Sequence, residues 1–229
     1  MPTAGVTGRS LESRHGGELK GRTWTVIAAA AVLGFVFRSP LTLAVLRHES
    51  AQRPEVAGEP VQAPDDARPF VHVAGGKRYR IVPRFKWDES ARVMSEEPYS
   101  AGAAGALIPV DWVLGWGPVL APPYAGGIHY TQLTRFYLWG TSDGRLDRGT
   151  IVTHTANTHV IPASARLRRA AACVRKGDDV RLEGWLVDVD GIDNESFHWK
   201  TSVSRSDEGP GGCETVYLTR LTIDTRAYE

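Results

Sequence analysis

The chain has 229 residues, 42% of them hydrophobic and 23% charged. That is too apolar for wholesale disorder and long enough for one modest domain with appendages. Lys and Arg number 27 against 26 Asp and Glu, a formal net charge of +1, whereas a dedicated nucleic-acid binder carries a basic excess on one face; no nucleic-acid partner is expected. Two cysteines are too few for a disulfide scaffold or a four-cysteine zinc site.

Residues 1–22 are polar and glycine-punctuated, without apolar periodicity, and read as a disordered cytoplasmic tail. Residues 23–46 read as a transmembrane helix. Trp24 to Phe37 carries no charge and would make roughly 21 Å of helix, short of the ~30 Å hydrocarbon core. Continued through Leu41 to Leu46 the helix reaches roughly 34 Å, enough to span. Arg38 costs about 2.5–3.5 kcal/mol at mid-bilayer, but it lies toward one end, where it can snorkel. Pro40 is tolerated as a kink, and Trp24 sits where an interfacial aromatic anchors a span. Lys20 and Arg22 before the span favour a cytoplasmic amino terminus. The expected location is therefore the inner (plasma) membrane, single-pass, with the carboxy-terminal domain extracytoplasmic. A cleaved signal peptide, with Thr42-Leu43-Ala44 as a poor cleavage site, and a buried core helix are the alternatives.

Residues 47–68 read as a linker, because Pro54, Pro60 and Pro64 among interspersed acids favour extended chain. A β-rich domain is expected over 69–229. Val71-His72-Val73, the turn Gly75-Gly76 and Lys77 to Val82 predict a hairpin. Ile128 to Trp139 is aromatic-rich and predicts a strand. A helix is predicted over Ser164 to Arg175, with Ser164 as N-cap, Leu167, Ala170, Ala171 and Val174 as its buried stripe and Arg166, Arg168 and Arg169 on its exposed face. Asp179 to Asp190, Phe197 to Val203 and Thr215 to Ile223 predict three further strands. The expected fold is thus mainly β, an antiparallel sheet or small barrel with one short helix behind a single amino-terminal transmembrane helix. The Gly-Asp-x-Val-x-Leu-x-Gly pattern at 177–184 occurs in small barrels, oligonucleotide-binding types included, although a plain hairpin explains it equally well.

Several segments together resemble a family of small bacterial proteins with an amino-terminal membrane segment and no established activity. They are Glu59-Pro60-Val61-Gln62, Asp111-Trp112-Val113-Leu114-Gly115-Trp116-Gly117-Pro118, Thr131-Gln132, His154-Thr155-Ala156-Asn157-Thr158-His159-Val160-Ile161-Pro162, Arg175 to Gly184, and Ser204-Arg205-Ser206-Asp207 through Cys213-Glu214. The resemblance covers about residues 59–220 and implies an architecture, not a reaction. Where the family continues Met-Ser-Asp-like after Leu-Gly-Trp-Gly-Pro, this chain has Val119-Leu120-Ala121.

His154 and His159 are candidate metal ligands, since imidazole binds zinc or copper and a catalytic metal takes about three protein ligands. His129, His198, Asp111 and Glu214 are candidate third ligands. Pro162 with the β-branched Thr155 and Thr158 predicts a loop here, in which His154 and Asn157 would instead bond neighbouring backbone. Asp111, Trp112, Trp116, Arg135 and Asn157 are candidate ligand-binding residues. Exposed, the tryptophans would stack on a sugar ring or a partner; buried, they are core. Asp111 is read as a cap for the following turn or as the partner of Arg135, which would pair with it or stack on Trp112. Cys173 and Cys213 are a candidate disulfide in an oxidising compartment. No Gly-x-Ser-x-Gly elbow, Walker A or Gly-x-Gly-x-x-Gly motif occurs, and the sequence specifies no cofactor. The expectation is a membrane-anchored cell-envelope protein whose domain binds another envelope protein or a glycan, with a metal-dependent enzyme centred on His154 and His159 as the alternative.

Overall fold

The computed structural model describes residues 46–229 apart from Ala101. The tail expected over 1–22 and, Leu46 excepted, the span expected over 23–46 lie outside the described residues. Among the described residues no helix is long and apolar enough to cross a membrane.

The hairpin expected at the double glycine forms: β3 (Phe70–Ala74) pairs with the start of β4 (Lys77–Pro98), and Gly75 and Gly76 both take positive φ, as a tight turn between strands demands. β4 is 22 residues long, far beyond the stretch its alternation suggests. A register shift between Pro83 and Phe85 bends it, and the proline falls at that irregularity. Along one edge β4 takes β3, then β2 (Val61–Ala63), then β5 (Val110–Gly115); along the other it takes β9 (Asp179–Gly191) from Tyr79 to Arg92.

Five strands close on themselves. β4 pairs with β5, β5 with β8 (Thr155–Pro162), β8 with β11 (Glu214–Ile223), β11 with β9, and β9 with β4. All these pairings are antiparallel except β8 with β11. Numbered along the chain, the barrel strands run 1-2-3-5-4 and back to 1, with a helix between the third and fourth. This is the Greek-key arrangement of the barrels that bind oligonucleotides and oligosaccharides, usually on the face of their second and third strands. The mainly β expectation is met, while the β8–β11 pairing is parallel where an antiparallel sheet or small barrel is expected.

The interior is filled by Trp87, Ala91 and Val93 of β4, Trp112 and Leu114 of β5, Ala156 and Val160 of β8, Val180, Leu182 and Leu186 of β9, and Val216, Leu218 and Leu221 of β11. The predicted helix lies against this cluster as Ala165–Ala171; the Ser164 hydroxyl accepts from the Leu167 amide at 3.1 Å, and Leu167, Ala170 and Ala171 are buried. Gly184 of β9 sits between β4 and β11, and a β-carbon there would lie 2.0 Å from the Tyr217 carbonyl oxygen. Gly184→Ala is expected to cost about 1–3 kcal/mol of stability or more, read by thermal melting, because neither backbone can recede without opening the ladder.

Several segments differ from expectation. Two additional α-helices form, α1 (Gly102–Leu107) and α2 (Arg148–Thr153), which makes the helix at 165–171 α3. α2 is only six residues, rich in β-branched side chains, and rests on Asp147, whose carboxylate accepts from the Thr150 amide at 2.6 Å. The proline-rich stretch read as a linker lies along the barrel: β1 (Glu49–Ser50) pairs with β12 (Arg226–Tyr228), β2 pairs with β4, and Arg53 reaches Asp179 at 3.0 Å and Asp224 at 2.9 Å. The strand expected over Ile128 to Trp139 is a hairpin, β6 (His129–Leu133) and β7 (Phe136–Gly140). The strand expected over Phe197 to Val203 is reduced to β10 (His198–Trp199); beyond it the Asp188 carboxylate takes the Thr201 amide at 3.1 Å, in place of a ladder.

Candidate functional site

Segment 154–162, read as a loop, is a barrel strand from Thr155 to Pro162, with His154 capping the end of α2. Every residue of β8 is buried, so the side chains turned away from the barrel interior, Thr155, Asn157 and His159, are covered as well. The cover is the β6–β7 hairpin. Tyr137 meets Thr155 hydroxyl to hydroxyl at 3.1 Å, Gln132 donates to the Asn157 side chain at 3.3 Å and to the Asp111 carbonyl at 3.2 Å, and Asn157 donates to the Arg135 carbonyl at 3.0 Å. The hairpin turn is Thr134-Arg135, both at positive φ, which aims the Arg135 side chain back at the barrel. Its guanidinium donates to Asp111 Oδ1 at 2.9 Å and to the Ile108 carbonyl at 3.2 Å, and lies 3.5 Å over the Tyr99 ring. His159 Nδ1 lies 2.9 Å from the same Asp111 oxygen without making a hydrogen bond, and Trp199 meets the His159 ring edge-on at 4.8 Å. The outward face of β5 and β8 is occupied by the chain's own hairpin.

A second polar group is set into the barrel mouth. Glu89 of β4 and Glu214 of β11 occupy inward positions and are 1% and 3% exposed. Glu89 accepts from the Trp87 indole at 3.2 Å. Glu214 accepts from Arg205 at 2.6 Å, and that guanidinium lies 4.3 Å over Trp87 and 5.9 Å from the Trp116 ring centre. One oxygen of each carboxylate, Glu89 Oε1 and Glu214 Oε2, has no hydrogen-bond partner. Desolvation dominates both groups: burial pushes Glu89 up to about 7 against the pull of Arg205 and the indole, and Glu214 up to about 8 against Arg205, with Glu89 itself adding to the rise.

A cleft of about 420 Å³ opens onto this group between β7 and the loop of residues 204–213. Phe136, Leu138 and Trp139 form one wall, Ser204, Arg205 and Asp207 to Pro210 the other, and Thr155, Cys213 and Glu214 the floor. Arg148 of α2 pairs with Glu208 across the rim. Leu138 and Phe136 are 62% and 46% exposed, an unusual share for apolar side chains on one short hairpin.

The sequence-predicted residues divide between these two places. Asp111, Arg135 and Asn157 come together under the hairpin, and the Asp111–Arg135 pairing is as expected, although Asp111 lies within β5 and caps no turn. Arg135 stacks on Tyr99, not on Trp112. Trp112 and Trp116 are 0% and 1% exposed; they are core, and Trp116 donates to Glu59 at 3.1 Å. His154 and His159 do not converge. His154 Nε2 pairs with Glu59 at 3.0 Å and its Nδ1 lies 2.9 Å from the Thr150 carbonyl, while His159 belongs to the Asp111 cluster. An extended strand separates their α-carbons by roughly 16 Å, too far for one ion. His129 is exposed, His198 pairs with Asp190 at 2.9 Å, and no cluster of three or more metal-binding side chains occurs among the described residues. Cys173 and Cys213 do not form a disulfide. Cys173 packs near Tyr228 behind α3, whereas Cys213 lies under the hairpin 3.5 Å from the Asn157 amide, where burial pushes its thiol up to about 11. Sequence reasoning missed Glu89, Arg205 and Tyr137 and read Glu214 only as a spare metal ligand.

Comparison with known proteins gives no match: no family profile, no curated protein and no solved structure corresponds to the chain.

Proposed function

We propose that the chain is a single-pass envelope protein whose barrel is a ligand-binding module, displayed on the outer side of the plasma membrane, with the cleft between β7 and residues 204–213 as its binding site and no catalysis of its own. The observation that carries this reading is the cleft floor: a buried carboxylate with an unpartnered oxygen, beneath aromatic and apolar walls that stand exposed at the rim. Convergent polar groups at the bottom of an apolar opening are the usual makeup of a ligand pocket. The filled second- and third-strand face and the balanced net charge both weigh against nucleic acid. The occupant is a glycan or a segment of another envelope protein, and Phe136, Leu138 and Trp139 are the surface it would meet first.

A photoreactive amino acid at Trp139 is expected to crosslink a specific product in living cells, and the same group at Arg169, on α3 and outside the cleft lining, is expected to give none. Equal labelling at the two positions, or none at Trp139, overturns the binding reading. Fractionation is expected to leave the intact chain in the membrane with its carboxy-terminal domain open to external protease; a freely cytosolic chain overturns the display.

A further inference from the structure

Resting on the binding reading above, we propose that the cleft recognises an organic cation, a guanidinium or alkylammonium group carried on an apolar body, and that Arg205 occupies its seat in the unliganded protein. The seat is made of two indoles and a carboxylate: Trp87 lies beneath the guanidinium at 4.3 Å, Trp116 at 5.9 Å, and Glu214 is bonded at 2.6 Å, while Glu89 accepts from the Trp87 indole at 3.2 Å. Aromatic faces with carboxylates are the standard recognition chemistry for organic cations.

The charge balance favours the same class. The lining carries Arg148 and Arg205 against Asp207, Glu208 and Glu214. A structural ion pair in a barrel interior is expected to be matched one to one, because an unpaired buried carboxylate is costly. Here the one guanidinium bonds Glu214 alone, burial keeps both acids protonated up to about pH 7–8, and Glu214 Oε2 and Glu89 Oε1 stay unpartnered. A ligand bringing several N–H donors satisfies oxygens that Arg205 leaves bare.

The resident is also attached in a way that lets it leave. Arg205 lies in an irregular loop, its side chain is 25% exposed, and its second bond is a 3.3 Å contact to Gln62. The loop is tied across the rim by Arg148–Glu208, whose side chains are 66% and 48% exposed, and ion pairs that open to water hold little. Gly209 and Gly211 at positive φ give the loop its turns.

The test uses the full chain in nanodiscs, with arginine amide and choline as free cationic probes, the peptide Gly-Arg-Gly as a peptide-borne one, and N-acetylglutamate and chitotriose as anionic and neutral controls. Calorimetry and tryptophan fluorescence read the dissociation constants, which also separate the free from the peptide-borne source. Arg205→Ala, which vacates the seat, is expected to bind arginine amide at least tenfold more tightly than the parent chain, since a site self-occupied nine-tenths of the time loses that factor in apparent affinity. Glu214→Gln is expected to abolish binding, and Glu89→Gln, checked for its fold by circular dichroism, is the second variant should Glu214→Gln not fold. Equal affinity in the parent and Arg205→Ala, or no cation binding in either, overturns the proposal. Binding of chitotriose without any cation also overturns it while leaving the cleft as a binding site.

Discussion

Arg135→Met is expected to lower the unfolding free energy by about 3–5 kcal/mol, the usual cost of removing one partner from a buried ion pair. Asp111 is 0% exposed, and Arg135 is the one cation hydrogen-bonded to it among the described residues. Methionine keeps the length of the side chain and carries no more backbone penalty at φ 72 than arginine does, so the effect reads the lost guanidinium and not the turn. Three further contacts go with it: two bonds to the Ile108 carbonyl and the stack on Tyr99. Urea unfolding followed by tryptophan fluorescence measures the loss. Combining Arg135→Met with Asp111→Asn is expected to recover at least half of it, since the second change removes the stranded charge. A loss below about 1 kcal/mol in the single variant means that water reaches Asp111 and that the hairpin is not the seal described above.

The Asp111–Arg135 pair was legible because opposite charges in otherwise apolar, aromatic strands have few other partners. The same logic found Ser164 ahead of a helical stripe and Gly75-Gly76 between two alternating runs, places where local chemistry and tertiary structure agree. It failed where they part. Thr134-Arg135 makes a tight turn with no glycine or asparagine, since Arg135 is held at positive φ by Asp111, Ile108 and Tyr99, and one long strand was read where there are two. β8 is buried on both faces and so lacks the alternation that marks a strand. Phe197 to Val203 alternates but keeps a ladder only at His198–Trp199, because beyond it side chains of Asp188 and Thr201 take the amides of Thr201 and Thr215 that a neighbouring strand would have taken. Glu89 and Glu214 were illegible as a pair: Glu89 looks like an ordinary solvated strand residue and Glu214 like a spare metal ligand, and only the closure of β11 onto β9 and β4 onto β5 turns both inward.

That inward placement predicts an unusual pH dependence. Both carboxylic acids titrate higher in the folded chain than in the unfolded one, Glu89 at about 7 and Glu214 at about 8 against an ordinary 4.5. The folded state therefore holds extra protons between these values, so its stability is complete on the acid side of the window and is lost as pH rises from about 5 to about 9. A shift of that size in Glu89 alone corresponds to about 3 kcal/mol, and the two acids titrate as a coupled pair with Arg205, Asp207 and Cys213 as their charged and titratable neighbours. Asp178, raised mainly by desolvation, acts in the same direction. His72, held below its ordinary value by burial and by Arg168, opposes it at the acid end of the window, while the lowered acids Asp143, Asp179 and Asp193 act below about pH 4. Thermal melts are thus expected to fall between pH 6 and pH 9, where most domains are flat. Glu89→Gln, which keeps the volume and removes the proton, is expected to melt higher than the parent chain at pH 8.5 and to lose at least half of the slope. Identical slopes in the two proteins would mean that the Glu89 carboxylate meets water in the folded state, and with it that the barrel mouth is open to solvent at that depth.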